Sequence, residues 1–132
     1  MATVKTSRSF SDIDLSFRAN PYTKDIYVKT DEEAVKAAVK HLIQTRNFER
    51  KFRPDIGTQV YSLLFENKSA AVDLALERSI EEAIERFEPR VRLIDLLIED
   101  DPDTNDLRVT VEFALKNIER PITVTTVLSR VR

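Results

Sequence analysis

The side chains that could carry chemistry in this sequence are mainly carboxylates. The chain has 23 Asp and Glu residues, one histidine (His41) and no cysteine. Disulfides, thiolate metal sites and cysteine nucleophiles are therefore excluded, and any catalysis or metal binding would rest on oxygen ligands or on His41. His41 falls on the flank of a predicted helix, where a surface histidine is the default interpretation.

One acidic segment has the spacing of a calcium-binding loop. Positions one, three, five and twelve of that pattern are held by Asp101, Asp103, Asn105 and Glu112. Asp106 stands where the pattern needs glycine, and Glu112 lies inside a predicted strand that keeps it away from an ion. We interpret the segment as a solvated turn between two strands and predict no metal site.

Two carboxylates held across a cleft would instead support glycoside hydrolysis. The acidic residues of the third predicted helix lie away from its apolar face, interspersed with Arg78 and Arg86, which is typical of a solvated helix surface. The single glycine, Gly57, excludes the glycine-rich loops that bind nucleotide phosphates. We predict no catalytic residue and no cofactor, and keep a small peptidoglycan hydrolase as the alternative function.

Basic and aromatic side chains alternate between residues 46 and 53. The cations are Arg46, Arg50, Lys51 and Arg53, and Phe48 and Phe52 lie among them. Such a segment could stack single-stranded nucleic acid, dock an acidic protein partner, or use its aromatics to anchor a loop. The residues alone favour the anchored loop, because Glu49 and Asp55 dilute the charge and the net charge of the chain is −2. A free nucleic-acid-binding module is a third hypothesis.

Length and hydrophobic pattern indicate an α+β fold. The chain has 132 residues, of which 42% are hydrophobic and 33% charged, a balance that suits one globular domain without a membrane span. No signal peptide is expected. Residues 1–30 lack a helical period and predict an extended N-terminal arm with one short strand near residues 26–29. Residues 31–132 predict a single domain.

Three helices precede three strands in that domain. The first helix is predicted at about 31–46, and the third begins at a cap on Ser69 and must end at Pro89. The predicted strands are Val91–Ile98, Leu107–Lys116 and Ile122–Arg130. We expect the helices to pack on one face of a small three-stranded antiparallel sheet. Because the first strand is apolar on both sides, we expect both of its sides to be covered.

Several short motifs together resemble one known family. In chain order they are Asn20–Pro21 followed by YTKDI, TRNFERKFRPDIG at 45–57, LLFE at 63–66, and Glu88, Pro89 and Arg90. This ordered set is similar to the baseplate sheath-initiator family of contractile injection systems. That family includes baseplate wedge proteins of contractile phages and a component of bacterial type VI secretion, historically labelled lysozyme-like.

The resemblance implies a nonenzymatic structural subunit of a phage tail baseplate, made in the host cytoplasm and built into the virion. Its implied partners are other baseplate wedge proteins, the tail sheath protein and the tail tube protein, in multiple copies within a sixfold baseplate. Neither nucleic acid nor membrane is expected as a partner. Members of the family add sheath strands to their own sheet.

The resemblance also implies roles for particular residues. Contact with the wedge is expected at Glu88, Pro89 and Arg90. Without the resemblance, these residues would be interpreted as a helix stop with an exposed ion pair between Glu88 and Arg90. Docking of an acidic protein is expected at Arg50, Lys51, Phe52 and Arg53. The sheath is expected to add strands along Thr123, Thr125 and Val127, because threonine favours extended backbone and charge is absent there.

Overall fold

The structure, a computed structural model, describes residues 10–116 and 118–130. Its elements in chain order are β1 (Ser11–Ile13), β2 (Val28–Thr30), α1 (Asp31–Gln44), α2 (Val60–Leu63), α3 (Ala70–Phe87), β3 (Val91–Asp101), β4 (Asp106–Leu115) and β5 (Ile118–Ser129). The α+β class and the three helices are confirmed, but the described strands form two antiparallel sheets instead of one. Within the described residues, the chain forms two compact units, 10–37 and 38–130, and α1 passes from one to the other. The predicted division into an arm of residues 1–30 and a domain of residues 31–132 stays a prediction.

The first unit contains a hairpin where the sequence predicted an extended arm with one strand. β1 pairs antiparallel with β2, and short polar side chains close the turns between them. The Asp14 carboxylate accepts the Ser16 N–H at 3.0 Å, and the Asn20 side-chain oxygen accepts the Tyr22 N–H at 2.9 Å. Turns of this kind come from local hydrogen bonds and leave no hydrophobic period in the sequence. Residues 1–9 of the predicted arm lie outside the described residues.

The second unit is built on the sheet β3-β4-β5, with β4 in the middle. Alternate side chains of β4 are buried, as the period of two predicted, and they include Leu107, Val109, Val111 and Phe113. α3 packs against β3 through a stripe that buries Leu76, Ile80, Ala83 and Ile84. On the same buried face, Gln44 Nε2 donates to Thr126 Oγ1 at 3.1 Å, so the end of α1 lies against β5.

Helix ends follow the predicted signals closely. Ser69 caps α3, since its hydroxyl accepts the Val72 N–H at 3.3 Å, and α3 ends just before Pro89. α1 ends at Gln44, two residues before the predicted boundary of 46. Both predicted signals of α3 are confirmed because they act within one turn of the chain.

One face of β3 is more exposed than expected. Ile94 and Leu97 are 48% and 52% exposed, so the prediction that this strand is covered on both sides is wrong. The register with β4 shifts between Leu93 and Asp95, which marks a β-bulge at this strand. The outer face of the sheet therefore carries exposed apolar side chains.

Candidate functional site

The predicted site residues lie on three different elements of the second unit. We call Glu88, Pro89 and Arg90 the wedge junction, which connects α3 to β3. We call the segment Arg50–Arg53 the basic loop, which lies between α1 and α2. We call Thr123, Thr125 and Val127 the β5 edge. The three therefore come from three different parts of the chain.

The wedge junction is held by a two-pronged ion pair. Arg90 Nε donates to Glu88 Oε1 at 2.5 Å, and its second terminal nitrogen donates to Oε2 at 2.8 Å. Glu88 is only 5% exposed, so the expectation of a solvent-exposed pair is wrong. Glu88 closes α3 with its N–H on the carbonyl of Ile84 at 2.9 Å, and its buried carboxylate is satisfied by Arg90.

Pro89 and part of the Arg90 side chain face solvent, and their backbone is held in place by hydrogen bonds. The Lys116 N–H donates to the Arg90 carbonyl at 3.1 Å, which ties the junction to the end of β4. The Arg90 side chain keeps 25% of its surface exposed, and Pro89 is exposed beside it. Because a fork to a carboxylate fixes the plane of a guanidinium, the junction presents a rigid proline and an oriented cation.

The basic loop is not anchored by its aromatics. Phe48 and Phe52 are 81% and 96% exposed, so the anchoring interpretation is wrong. Backbone hydrogen bonds hold the loop instead: Asn47 N–H donates to the Thr58 carbonyl at 3.2 Å, and Thr58 N–H to the Thr45 carbonyl at 2.9 Å. Both phenylalanines are left available to a partner.

Gly57 makes this close approach possible. Its φ is +123°, and a Cβ at this position would lie 2.6 Å from the Thr45 carbonyl oxygen. The lone glycine that follows the proline-containing loop in the sequence thus has a backbone conformation that favours glycine. Phe48 is a second strained residue, since its φ is +68°.

The acidic residues near the basic loop are already engaged. The Asp55 carboxylate pairs with Arg53 Nε at 3.3 Å and with Arg86 at 3.8 Å. The hydrogen bond from Arg53, aided by the charge of Arg86, lowers the pKa of Asp55 below its ordinary value. Glu49 accepts the backbone N–H of Arg46 at 2.9 Å. The charges of Arg50 and Lys51 are consequently not neutralised by ion pairs within the described part of the chain.

The two outer strands of the sheet have different edges. Among the described residues β5 pairs with β4 alone, and its residues 122–129 carry no charge. The side chains of Thr123, Thr125 and Val127 are exposed, and Thr125 Oγ1 lies 3.3 Å from Thr110 Oγ1 across the pair. β3, in contrast, has a bulge and several charged residues. Bulges and charges are the common protection of an edge. β5 has its own register shift, but it lies before Ile122, and residues 122–129 pair with β4 in regular register. The edge of β3 is therefore protected, and residues 122–129 of β5 form a bare edge.

Sequence reasoning missed a groove along α3. It has a volume of about 540 Å³ and lies between the outer side of that helix and residues 47–59. Its lining includes Leu74, Arg78, Glu82 and Arg86, which recur every four residues and therefore share one helix face. That spacing was visible in the sequence as a second, mixed stripe beside the apolar one.

The acidic turn that resembles a calcium loop has a structural role. Asp101 Oδ1 accepts the Asp103 N–H at 3.0 Å, which closes the turn between β3 and β4. Within residues 10–116 and 118–130 there is no group of three or more His, Cys, Asp or Glu side chains placed to hold a metal ion. None of the described helices is long and apolar enough to cross a membrane.

Comparison with known proteins gives the family. Residues 29–120 match the family described as "Baseplate wedge protein gp25". That match covers more than half of the chain. The chain belongs to this baseplate wedge family. The family recognised from the short motifs is thereby confirmed, and membership places this wedge protein in the tail baseplate of the virion.

Individual relatives agree with this assignment. The wedge protein is 29% identical over 115 residues to baseplate wedge protein gp25 of Enterobacteria phage T4, covering 87% of this chain and 85% of the relative. Its fold resembles that of a candidate tail lysozyme of Geobacter sulfurreducens, with a TM-score of 0.69 and 19% identity, over 76% of this chain and 92% of the other. It also resembles a chain in the cryo-EM structure of the anti-feeding prophage baseplate, with a TM-score of 0.65 and 24% identity, over 94% and 89%. At these identities the two structures show the fold alone.

Proposed function

We propose that this wedge protein is a nonenzymatic structural subunit of a contractile phage tail. In this proposal it joins other wedge proteins near the tail tube and nucleates the sheath by β-strand addition. The observation that carries the proposal is the bare outer edge of residues 122–129 in β5, on a sheet whose other edge is protected. Family membership supports the setting in the baseplate.

Strand addition suits the β5 edge for a physical reason. An outer strand presents unpaired N–H and C=O groups at fixed spacing, so an extended segment of the sheath protein gains a ladder of hydrogen bonds there. β5 is 12 residues long, and Pro121 lies near its start, so alternate residues among 122–129 can offer outward N–H groups. Affinity would come mainly from the backbone, with Thr123, Thr125 and Val127 next to the added strand.

Contact with other wedge proteins is assigned to the wedge junction. Pro89 is exposed and conformationally fixed, and Arg90 is aimed by its pair with Glu88. Binding of a partner at these groups costs this protein little conformational entropy, because both groups are already ordered. In this assignment Glu88 acts by positioning Arg90, and Pro89 and Arg90 make the contact.

Absence of enzymatic activity is part of the same proposal. The carboxylates of α3 (Glu77, Glu81, Glu82 and Glu85) lie on its polar side, and the Asp101 carboxylate is used to close a turn. The alternative of a small peptidoglycan hydrolase has support in the name of the Geobacter neighbour, but that likeness extends to the fold alone.

The experiment that tests sheath nucleation changes one backbone N–H at a time. Tails are assembled with Thr125→Pro or Val127→Pro, and the fraction that carries sheath is counted by electron microscopy. We expect sheath on these tails to fall while tube assembly continues, because proline removes a hydrogen-bond donor from the edge. Circular dichroism of each purified variant establishes that it is folded.

Matched variants separate the edge from other effects. Thr125→Val keeps the N–H and should assemble sheath normally, and Glu99→Pro makes the same backbone change on the protected β3 edge and should also do so. Charges added by Thr123→Lys with Val127→Lys should block the edge without a proline. Normal sheath on tails that carry the folded β5 variants would contradict the proposal.

A further inference from the structure

The basic loop and the neighbouring Phe48 form an exposed tip that is both cationic and aromatic. We define the loop tip as Phe48, Arg50, Lys51 and Phe52. Its two phenylalanines are almost fully exposed, and both cations are exposed as well. Phenylalanine and arginine are enriched at protein interfaces, where buried aromatic and arginine side chains supply much of the binding energy.

The charge of the loop tip is available for a partner. The nearby carboxylates do not compensate it, since Asp55 is paired with Arg53 and Arg86, and Glu49 accepts a backbone N–H. Net charge of the whole chain is −2, so this positive patch contrasts with the rest of the molecule. Complementary charge on a partner is therefore negative.

The conformation of the loop tip is set before a partner arrives. The Phe48 N–H donates to the Pro54 carbonyl at 2.9 Å, and the Arg53 N–H donates to the Arg50 carbonyl at 3.2 Å. These bonds close the loop on itself across its base. Phe48 holds a positive φ, which bulky residues adopt only where the surroundings enforce it.

We propose that the loop tip docks an acidic protein segment of another baseplate subunit, in which carboxylates flank a large apolar side chain. The apolar side chain packs against Phe48 and Phe52, and the carboxylates pair with Arg50 and Lys51. This inference rests on the proposed wedge function and gives the chemistry of one of its partners. A protein is favoured over nucleic acid because two cations neutralise too few phosphates for firm binding at physiological salt.

Photo-crosslinking in assembled baseplates tests the inference. Phe52 is replaced by the photoreactive residue benzoylphenylalanine, purified baseplates are irradiated, and the crosslinked peptide is identified by mass spectrometry. We expect a segment of another baseplate chain with at least two Asp or Glu residues and a large apolar residue within about seven positions, roughly the length that the tip can span. Crosslinks to a basic segment or to nucleic acid would overturn the inference, and so would baseplates in which none forms.

Charge variants add a quantitative readout. Arg50→Glu should lower the crosslink yield at least about fivefold, because reversal of one charge turns an attraction into a repulsion. Lys40→Glu makes the same change of charge on exposed α1 and should leave the yield unchanged. Phe65, 61% exposed after α2, provides a second crosslinking position that should not give the acidic segment. Equal yields from Arg50→Glu and Lys40→Glu would contradict the pairing.

Failure of this inference can be told apart from failure of the wedge function. If Arg90→Ala lowers incorporation into baseplates while Arg50→Glu and Phe52→Ser do not, the wedge function stands and the loop tip assignment fails. If all of these variants are incorporated at the wild-type level, both fail.

Discussion

Glu88 lies at the end of a helix, and the burial of its carboxylate depends on the surrounding fold. The stop at Pro89 and the positive φ of Gly57 were predictable, since proline and glycine restrict or free their own backbone. Burial of Glu88 and exposure of Phe48 were not, because each depends on what packs nearby. At the residue scale, sequence predicted backbone constraints better than side-chain environments.

Removing the Glu88 carboxylate should destabilise the fold. We expect Glu88→Ala to lower the free energy of unfolding by about 2 kcal/mol, because it leaves the Arg90 guanidinium partly buried without its carboxylate. Urea denaturation followed by circular dichroism measures the change. The double variant with Arg90→Ala should lose less than the sum of the two single losses. Additive losses would show that the pair is not coupled, and Glu85→Ala on the exposed side of α3 serves as the control.

Gly57 should tolerate no side chain. Gly57→Ala places a Cβ against the Thr45 carbonyl and requires an unfavourable positive φ, so we expect a loss of at least about 2 kcal/mol of stability. Thermal denaturation measures it, with Lys51→Ala in the same loop as a control. A variant as stable as the original would mean that the loop relaxes freely around this position.

The strands show where element patterns succeed and fail. The alternation along β4 predicted both the strand and its buried face, because one side meets the helices and the other does not. The β1–β2 hairpin escaped prediction, since Asp14 and Asn20 close its turns by hydrogen bonds that leave no period. The prediction that β3 is covered on both sides failed because its apolar residues include Ile94 and Leu97, which lie exposed.

The turn between β3 and β4 should contribute a pH-dependent stability. The N–H of Asp103, the main cause, holds the pKa of Asp101 below its ordinary value of 3.8. Since the folded pKa is depressed, the contribution is complete above the ordinary value and is lost as pH falls through the lower folded pKa. Asp101→Asn keeps an acceptor oxygen but cannot titrate. The stability difference between the original chain and this variant should therefore shrink as pH is lowered below about 4.

An NMR titration of the Asp101 carboxyl checks this directly. A midpoint at or above 3.8 would contradict the role assigned to the Asp103 N–H. Denaturation curves of both chains over the same pH range provide the second measurement.

At the scale of the whole molecule, ordered short motifs carried more information than composition. Composition indicated one globular α+β chain and excluded cysteine and glycine-loop chemistry. The family came from the motifs between Asn20 and Arg90, and the match over residues 29–120 confirms it. The site could be predicted only as separate segments, since the groove along α3 and the contrast between the two sheet edges arise from packing and register.

The purified protein should neither hydrolyse cell walls nor bind calcium. We expect no loss of turbidity from purified murein, and no saturable calcium binding by calorimetry at micromolar concentrations. The physical reasons are that no acid and nucleophile pair is assigned and that Asp101 already serves the turn. Lysis that a single carboxylate substitution abolishes would overturn the first expectation, and a micromolar calcium isotherm the second.

The unequal edges of the β3-β4-β5 sheet also bear on how the free protein behaves before assembly. Two copies that joined a β5 edge to a β3 edge would stack head to tail, a contact that can repeat without end and produce filaments. The bulge and the charges of β3 oppose that contact. Pairing of β5 with β5 closes on itself after two copies. In the proposed function, the asymmetry that offers the β5 edge to a partner therefore also opposes polymerisation of the free protein.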